Sequence, residues 1–175
     1  MRLKNKVIIV TGATSGIGKA IAIKAVAEGA KVLIHGIDKS GGEKVVDQLG
    51  KSASLCIADL ADKNAPKKIV DDAISAFGQI DGLVNNAAII ERNNLSQLTP
   101  EAFTKTITVN LQSALFLIQA AFPYLKKSQG SVLNIGSINA YSGESSLLAY
   151  SIGKAGLQTM TRNLANAHGV DKVRF

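Results

Sequence analysis

Apolar residues gather in five short continuous runs, and between the runs apolar positions recur every three or four residues. The runs are Val7–Val10, residues 32–34, residues 54–58, Gly82–Asn85 and residues 132–135. Unbroken apolar runs of this length suit strands buried on both faces, where no polar face is needed. The stretches between them predict helices. One covers residues 17–28 and is stopped by Gly29. A second follows the polar turn Asp38-Lys39-Ser40-Gly41-Gly42 and reaches Leu49, and a third spans Ala65–Phe77 with Pro66 in its first turn. A long helix is expected over residues 99–125, with Thr99 as N-cap and Pro100 at the first helical position, and a last one over residues 149–167. Strand and helix alternate throughout, which predicts an α/β fold: a doubly wound parallel sheet in a three-layer αβα sandwich, residues 1–175 forming a single domain.

At 175 residues and 46% hydrophobic content, the chain can build one sizeable core. No apolar run reaches 18 residues, so no membrane span is expected. The N-terminus, Met1-Arg2-Leu3-Lys4-Asn5-Lys6-Val7, enters a strand at once and lacks the pattern of a signal peptide. The single cysteine, Cys56, fits a reducing compartment and reads as a small buried hydrophobe, so a cytoplasmic location is expected. A net charge of +7 raises the question of nucleic acid. The lysines are dispersed from Lys4 to Lys172, and aromatics are only 5%, so the clustered charge and stacking groups of such a surface are missing. An open nucleotide-binding sheet of order 3-2-1-4-5-6 needs a sixth strand. Asp171-Lys172-Val173-Arg174-Phe175 reads as that strand's opening, so a C-terminal truncation is expected.

Chemistry enters with the run Thr11-Gly12-Ala13-Thr14-Ser15-Gly16-Ile17-Gly18, directly after the first strand and opening the first helix. Glycines there permit a tight turn and close backbone approach to a pyrophosphate, and a helix N-terminus offers free amides; a purely structural turn is the plainer alternative. The spacing is neither G-x-G-x-x-G nor a P-loop, since Gly18-Lys19 is followed by Ala20. Asp59-Leu60 and Asn85-Asn86-Ala87-Ala88 fall at the carboxyl ends of strands, where open α/β sheets bind ligands, although either could simply shape a turn. Asn110 lies within a helix of otherwise apolar, helix-favouring residues and needs either a user or a partner for its amide. Ser137 ends the fifth strand, and thirteen residues later comes Tyr150, with Lys154 four further on. On a helix that spacing puts phenol and ammonium on one face. A phenol is a weak acid, and a fixed cation beside it favours its ionised form. His35 and His168 lack metal-ligand spacing, and no metal is expected.

Taken in order, these motifs resemble the short-chain dehydrogenase/reductase family from end to end of the chain. The resemblance rests on Thr11-Gly12-x-x-x-Gly16-x-Gly18, Asp59-Leu60, Asn85-Asn86-Ala87-Ala88, Asn110, Ser137 and Tyr150-x-x-x-Lys154, with Ala88 standing where the family usually has Gly. It implies an NAD(P)(H)-dependent oxidoreductase acting on an alcohol or carbonyl. Tyr150 would be the general acid or base, Lys154 its partner and a ligand of the nicotinamide ribose, Ser137 the holder of the substrate oxygen, and Asn110 part of a water-linked proton relay. Gly12, Thr14, Ser15, Gly16, Ile17 and Gly18 would form the phosphate and ribose site, Asp59 and Leu60 would meet the adenine, and Asn86 and Ala87 the neighbouring ribose. NAD-selective relatives carry Asp where this chain has Gly36, which leaves room for a phosphate and leans the expectation toward NADP; Ile37 brings no cation, and Asp38 could still reach a hydroxyl.

The expected partner is a small-molecule alcohol or carbonyl, with no nucleic acid and no membrane. The surplus apolar surface of the helices at 99–125 and 149–167 predicts a homo-oligomer formed through them, as is common in the resembled family. The alternative is a truncated dinucleotide-binding module without turnover.

Overall fold

The five apolar runs become the strands β1 (Val7–Val10), β2 (Lys31–Gly36), β3 (Ala53–Ile57), β4 (Gly82–Asn85) and β5 (Ser131–Asn134) of a computed structural model that describes residues 1–175. All neighbours pair in parallel, in the order β3-β2-β1-β4-β5. This is the doubly wound, Rossmann-type arrangement expected. Past β5, Val132 N–H donates to Arg174 O at 2.8 Å and Arg174 N–H to Gly130 O at 3.1 Å, so the last residues begin to pair beside β5 as the sixth-strand reading requires.

The helices are α1 (Gly16–Ala27), α2 (Lys39–Leu49), α3 (Ala65–Phe77), α4 (Pro100–Ile107), α5 (Ser113–Ser128) and α6 (Leu148–His168). Local chemistry sets their ends. Gly29 at φ +92 lets the chain turn sharply after α1. Asp38 caps α2 by accepting from Gly41 N–H at 3.0 Å, and Thr99 caps α4 by accepting from Ala102 N–H at 3.2 Å. α1 and α2 cover one face of the sheet, packing Ala22, Ala25 and Val45 on Val10, Val32 and Ile34. α3 and α5 cover the other, packing Ile69, Leu117 and Leu125 on Ile9, Leu33 and Leu83. Each of the buried Val, Ile and Leu side chains among them contributes roughly 1.5–3 kcal/mol relative to exposure.

The helix expected over residues 99–125 is not continuous. A five-residue π turn, Thr108–Gln112, separates α4 from α5, and α5 runs on to Ser128. One wide turn of this kind leaves regular helix on both sides, so apolar periodicity does not reveal it.

Strand order reverses between β1 and β4, which opens a crevice at the carboxyl ends of the strands. The sheet also changes character there. On the α3–α5 face the apolar layer of Leu33, Ile9 and Leu83 gives way to a lateral polar row: Cys56 opposite His35, then Thr11, then Asn85 opposite Asn134. Of that row, His35 lines the crevice.

Candidate active site

The glycine turn is held from below. Thr11 Oγ accepts from both Asn86 N–H and Ala87 N–H at 3.0 Å, and Asn86 Nδ2 donates to Thr11 O at 2.8 Å and Gly12 O at 3.1 Å. Gly12 sits at φ +62, and a Cβ there would lie 2.9 Å from Ala87 Cα; a Cβ on Gly18 would strike Gly12 O and come within 2.5 Å of Asn86 Nδ2. Both glycines are therefore required by close backbone approach. Asn86, expected to meet a ribose, braces the glycine turn with its amide nitrogen. Ser15 is the N-cap of α1, yet its side chain bonds nothing in that helix and stays free for an anion.

Above the turn runs a groove of about 790 Å³ along the strand ends. Gly12, Thr14, Ser15, Gly16 and Ile17 form one wall, and Asp59, Leu60, Asn86 and Ala87 extend it. Tyr150 and Lys154 close the far end beside Ile135 and Gly136. Gly18 lies buried beneath the turn, and Asn110 and Ser137 are not among the residues that line the groove. The volume, the unbonded Ser15 and the glycine cradle fit an extended dinucleotide with its phosphates over α1.

Asp59 combines its two sequence readings. It lines the groove, and its carboxylate accepts from Ala61 N–H at 2.9 Å, starting the turn after β3. The space left by Gly36 is partly filled: a Cβ there would lie 2.6 Å from Thr14 Cγ2. Asp38, considered a hydroxyl acceptor, caps α2 through Oδ1 alone, and its Oδ2 makes no hydrogen bond. Lys105 also lines the groove, from α4, and pairs with Glu91 at 2.9 Å, an ion pair that holds its ammonium above the usual lysine range. Neither Lys105 nor Val109 carries a sequence signal beyond lying on the helix that leads to Asn110.

Lys154 is 2% exposed, and its Nζ donates to Ile135 O at 2.6 Å while standing 5.8 Å from the centroid of the Tyr150 ring. Burial holds the ammonium below the usual lysine range. Ser137 is half-buried, and its Oγ accepts from Asn139 N–H at 3.2 Å, starting the short turn Ile138–Ala140. Its hydroxyl proton has no partner in that contact.

Asn110 makes a structural contact that the sequence did not reveal. Its Oδ1 accepts from Ile89 N–H at 2.8 Å and its Nδ2 donates to Ile89 O at 2.9 Å. The side chain therefore clamps the loop after β4. It sits in the π turn, which brings it to Ile89.

His35 is buried with Nε2 3.0 Å from Ala58 O, and desolvation lowers its pKa to about 4, so the ring is neutral and Nε2–H donates to Ala58 O. Cys56 is buried as expected, and burial pushes its thiol up to about 12, outside the range of a reactive thiolate. No helix is long and apolar enough to cross a membrane.

A family model described as short chain dehydrogenase matches residues 6–175. An uncharacterized oxidoreductase of Thermotoga maritima is 37% identical over 169 residues, covering 94% of this chain and 66% of its own. The NADP-dependent (R)-specific alcohol dehydrogenase of Lentilactobacillus kefiri is 37% identical, with 94% and 67% covered. The meso-2,3-butanediol dehydrogenase of Serratia marcescens is 30% identical, with 100% and 70% covered. A solved short-chain dehydrogenase/reductase of unknown function from Caenorhabditis elegans, with cofactor, superposes at a TM-score of 0.95 with 30% identity, covering 99% of this chain and 68% of that one. The chain spans about two thirds of the length of the curated relatives it matches.

Proposed function

The chain belongs to the short-chain dehydrogenase family, and on that premise we propose that it exchanges a hydride between a nicotinamide dinucleotide and an alcohol or carbonyl. The observation that carries this reading is the pairing of Tyr150 with a buried, fixed Lys154 at one end of a groove that begins at a glycine-cradled helix N-terminus. The dinucleotide, when bound, supplies the hydride or takes it up.

In the reducing direction Tyr150 O–H gives its proton to the carbonyl oxygen, and in the oxidising direction the phenolate takes the hydroxyl proton. The Lys154 ammonium stands beside the ring and stabilises negative charge developing on the phenol oxygen; little water reaches it, so the interaction is weakly screened. Ser137, with its hydroxyl proton free, holds the substrate oxygen. Asn110 acts by fixing Ile89 and the loop that borders the groove. Ser15 and the free amides of α1 take the phosphates. Gly36 leaves the end of β2 without a carboxylate where NAD-selective relatives carry Asp, which supports NADP over NAD. Phe103, Leu115, Phe116 and Ile152 remain 36–44% exposed on α4, α5 and α6, which supports pairing of two copies through these helices.

The test is Tyr150→Phe in the complete protein, assayed with NADP(H) and NAD(H) against a panel of secondary alcohols, diols and aldoses. Turnover should fall by roughly 10²–10⁴ or more, with cofactor affinity unchanged. A fully active Tyr150→Phe protein refutes the assignment. Cofactor binding without turnover on any panel member by the wild type would support the binding-module reading instead.

A further inference from the structure

Helix α6 meets the end of β5 at two points. At the first, Lys154 Nζ donates to Ile135 O at 2.6 Å. The second lies seven residues later, at Thr161. Seven residues are two helical turns, about 10 Å along the same face. There Asn134 Nδ2 donates to Thr161 Oγ1 at 2.8 Å, and the Thr161 hydroxyl donates in turn to Leu157 O at 2.7 Å. Asn134 is itself held from β4, where Asn85 Nδ2 donates to its Oδ1 at 2.8 Å. In this run Asn134 turns Oδ1 toward β4 and Nδ2 toward α6, and its β4 end, Asn85, is buried. Ile135 N–H also donates to Asn85 O at 2.9 Å, so the strand end where Lys154 docks is anchored to the same residue.

Apolar packing of Met160 and Leu164 on the core, burial of Leu157, and packing of His168 on Phe122 hold α6 against the sheet, but these contacts are not directional. Its N-cap, Leu147, contributes no side-chain cap. Where α6 passes the π turn it presents Gly153 and Gly156; a Cβ on Gly156 would lie 2.7 Å from Leu111 Cδ2. Such a surface allows close approach, with Leu111 seated against Gly156. The lysine contact alone is one hydrogen bond at the end of a long, flexible side chain.

We infer that Asn134 and Thr161 are positioning residues that set the register and roll of α6 on the sheet, and so place Lys154, and Tyr150 one turn before it, at the end of the groove. The catalytic consequence rests on the proposed roles of Tyr150 and Lys154; the geometric one does not.

The test uses the complete protein with Thr161→Val, which removes the hydroxyl at nearly constant shape, Thr161→Ser, which keeps it, and Asn134→Asp, which keeps the acceptor and removes the donor. Lys154 is followed by NMR titration of ¹³Cε-labelled lysine, NADPH affinity by fluorescence, and turnover on the panel alcohol that the wild type oxidises fastest. Thr161→Val should move the Lys154 titration up toward that of an ordinary lysine, as water reaches the loosened ammonium. It should also lower turnover by roughly ten- to a hundredfold, the scale of an ångström-level misplacement, and leave NADPH affinity unchanged. Thr161→Ser should match the wild type, and Asn134→Asp should follow Thr161→Val. The inference is overturned if Thr161→Val keeps both the wild-type titration and turnover, or if Thr161→Ser is as impaired as Thr161→Val. Should Thr161→Val not fold, Asn134→Asp decides by the same two readouts. If Tyr150→Phe proved active, the function reading would fall while the Lys154 titration still judged the tether.

Discussion

Replacing Gly36 by Asp probes how the adenosine end of the groove is built. The new Cβ would lie 2.6 Å from Thr14 Cγ2 and 3.1 Å from Thr14 Oγ1, well inside the optimal carbon–carbon separation of about 3.5–4.0 Å. Overpacking of this kind costs on the order of 1–3 kcal/mol. A carboxylate that reaches the ribose hydroxyl returns about 1.5–3 kcal/mol, the range for a hydrogen bond to a charged group. The two nearly cancel. Gly36→Asp alone should therefore bind NADH little better than the wild type, melt about 2–10 °C lower, and lose NADPH through repulsion of the 2′-phosphate. Thr14→Ala combined with Gly36→Asp removes the clash and should bind NADH about tenfold tighter than Gly36→Asp alone, equivalent to about 1.4 kcal/mol. Fluorescence titrations of NADH and NADPH, with thermal melts of the wild type, both single variants and the double variant, close the cycle. A Gly36→Asp protein that gains tenfold in NADH affinity and melts like the wild type would refute the reasoning.

Other perturbations follow from the same geometry. Desolvation lowers His35 from 6.5 to about 4, so between those values the unfolded chain binds the proton that the native ring refuses. The stability present above the upper value, about 3 kcal/mol, is lost as pH falls through this window. His35→Gln retains an amide donor for Ala58 O without a titrating ring, and urea unfolding on either side of the window should show a shallower loss; equal losses in both proteins would contradict the assignment. Gly18→Ala forces a Cβ against Gly12 O and Asn86 Nδ2. It should abolish cofactor binding or lower stability by on the order of 1–3 kcal/mol, and a variant that melts and binds NADPH like the wild type would show that the turn has slack. Sedimentation of the complete protein at micromolar concentration should reveal an oligomer, and Phe116→Glu should shift it toward monomer; a monomeric wild type counts against pairing through α4–α6.

Much of the fold was legible in the residues in order. Short unbroken apolar runs bounded by turns suit strands, helical periodicity between them suits crossovers, and the short-range capping chemistry of Asp38 and Thr99 acts within three residues of itself. The glycine turn and Tyr150-x-x-x-Lys154 were legible for the same reason, because their geometry follows from local backbone conformation and helical spacing. What the sequence left open depends on residues that are distant along the chain. Asn110 turned out to clamp Ile89 through a π turn, because one wide turn leaves the apolar period on each side intact. Asn86 binds the glycine turn 74 residues before it, and Asn134 reaches Thr161 across 27 residues. Thr14 fills the space over Gly36, and Lys105 enters the groove from α4, each through sheet and helix packing. A polar side chain takes its partner from whatever the packed elements bring within about 3 Å. That choice is made by the relative placement of layers, which local propensity and periodicity do not encode.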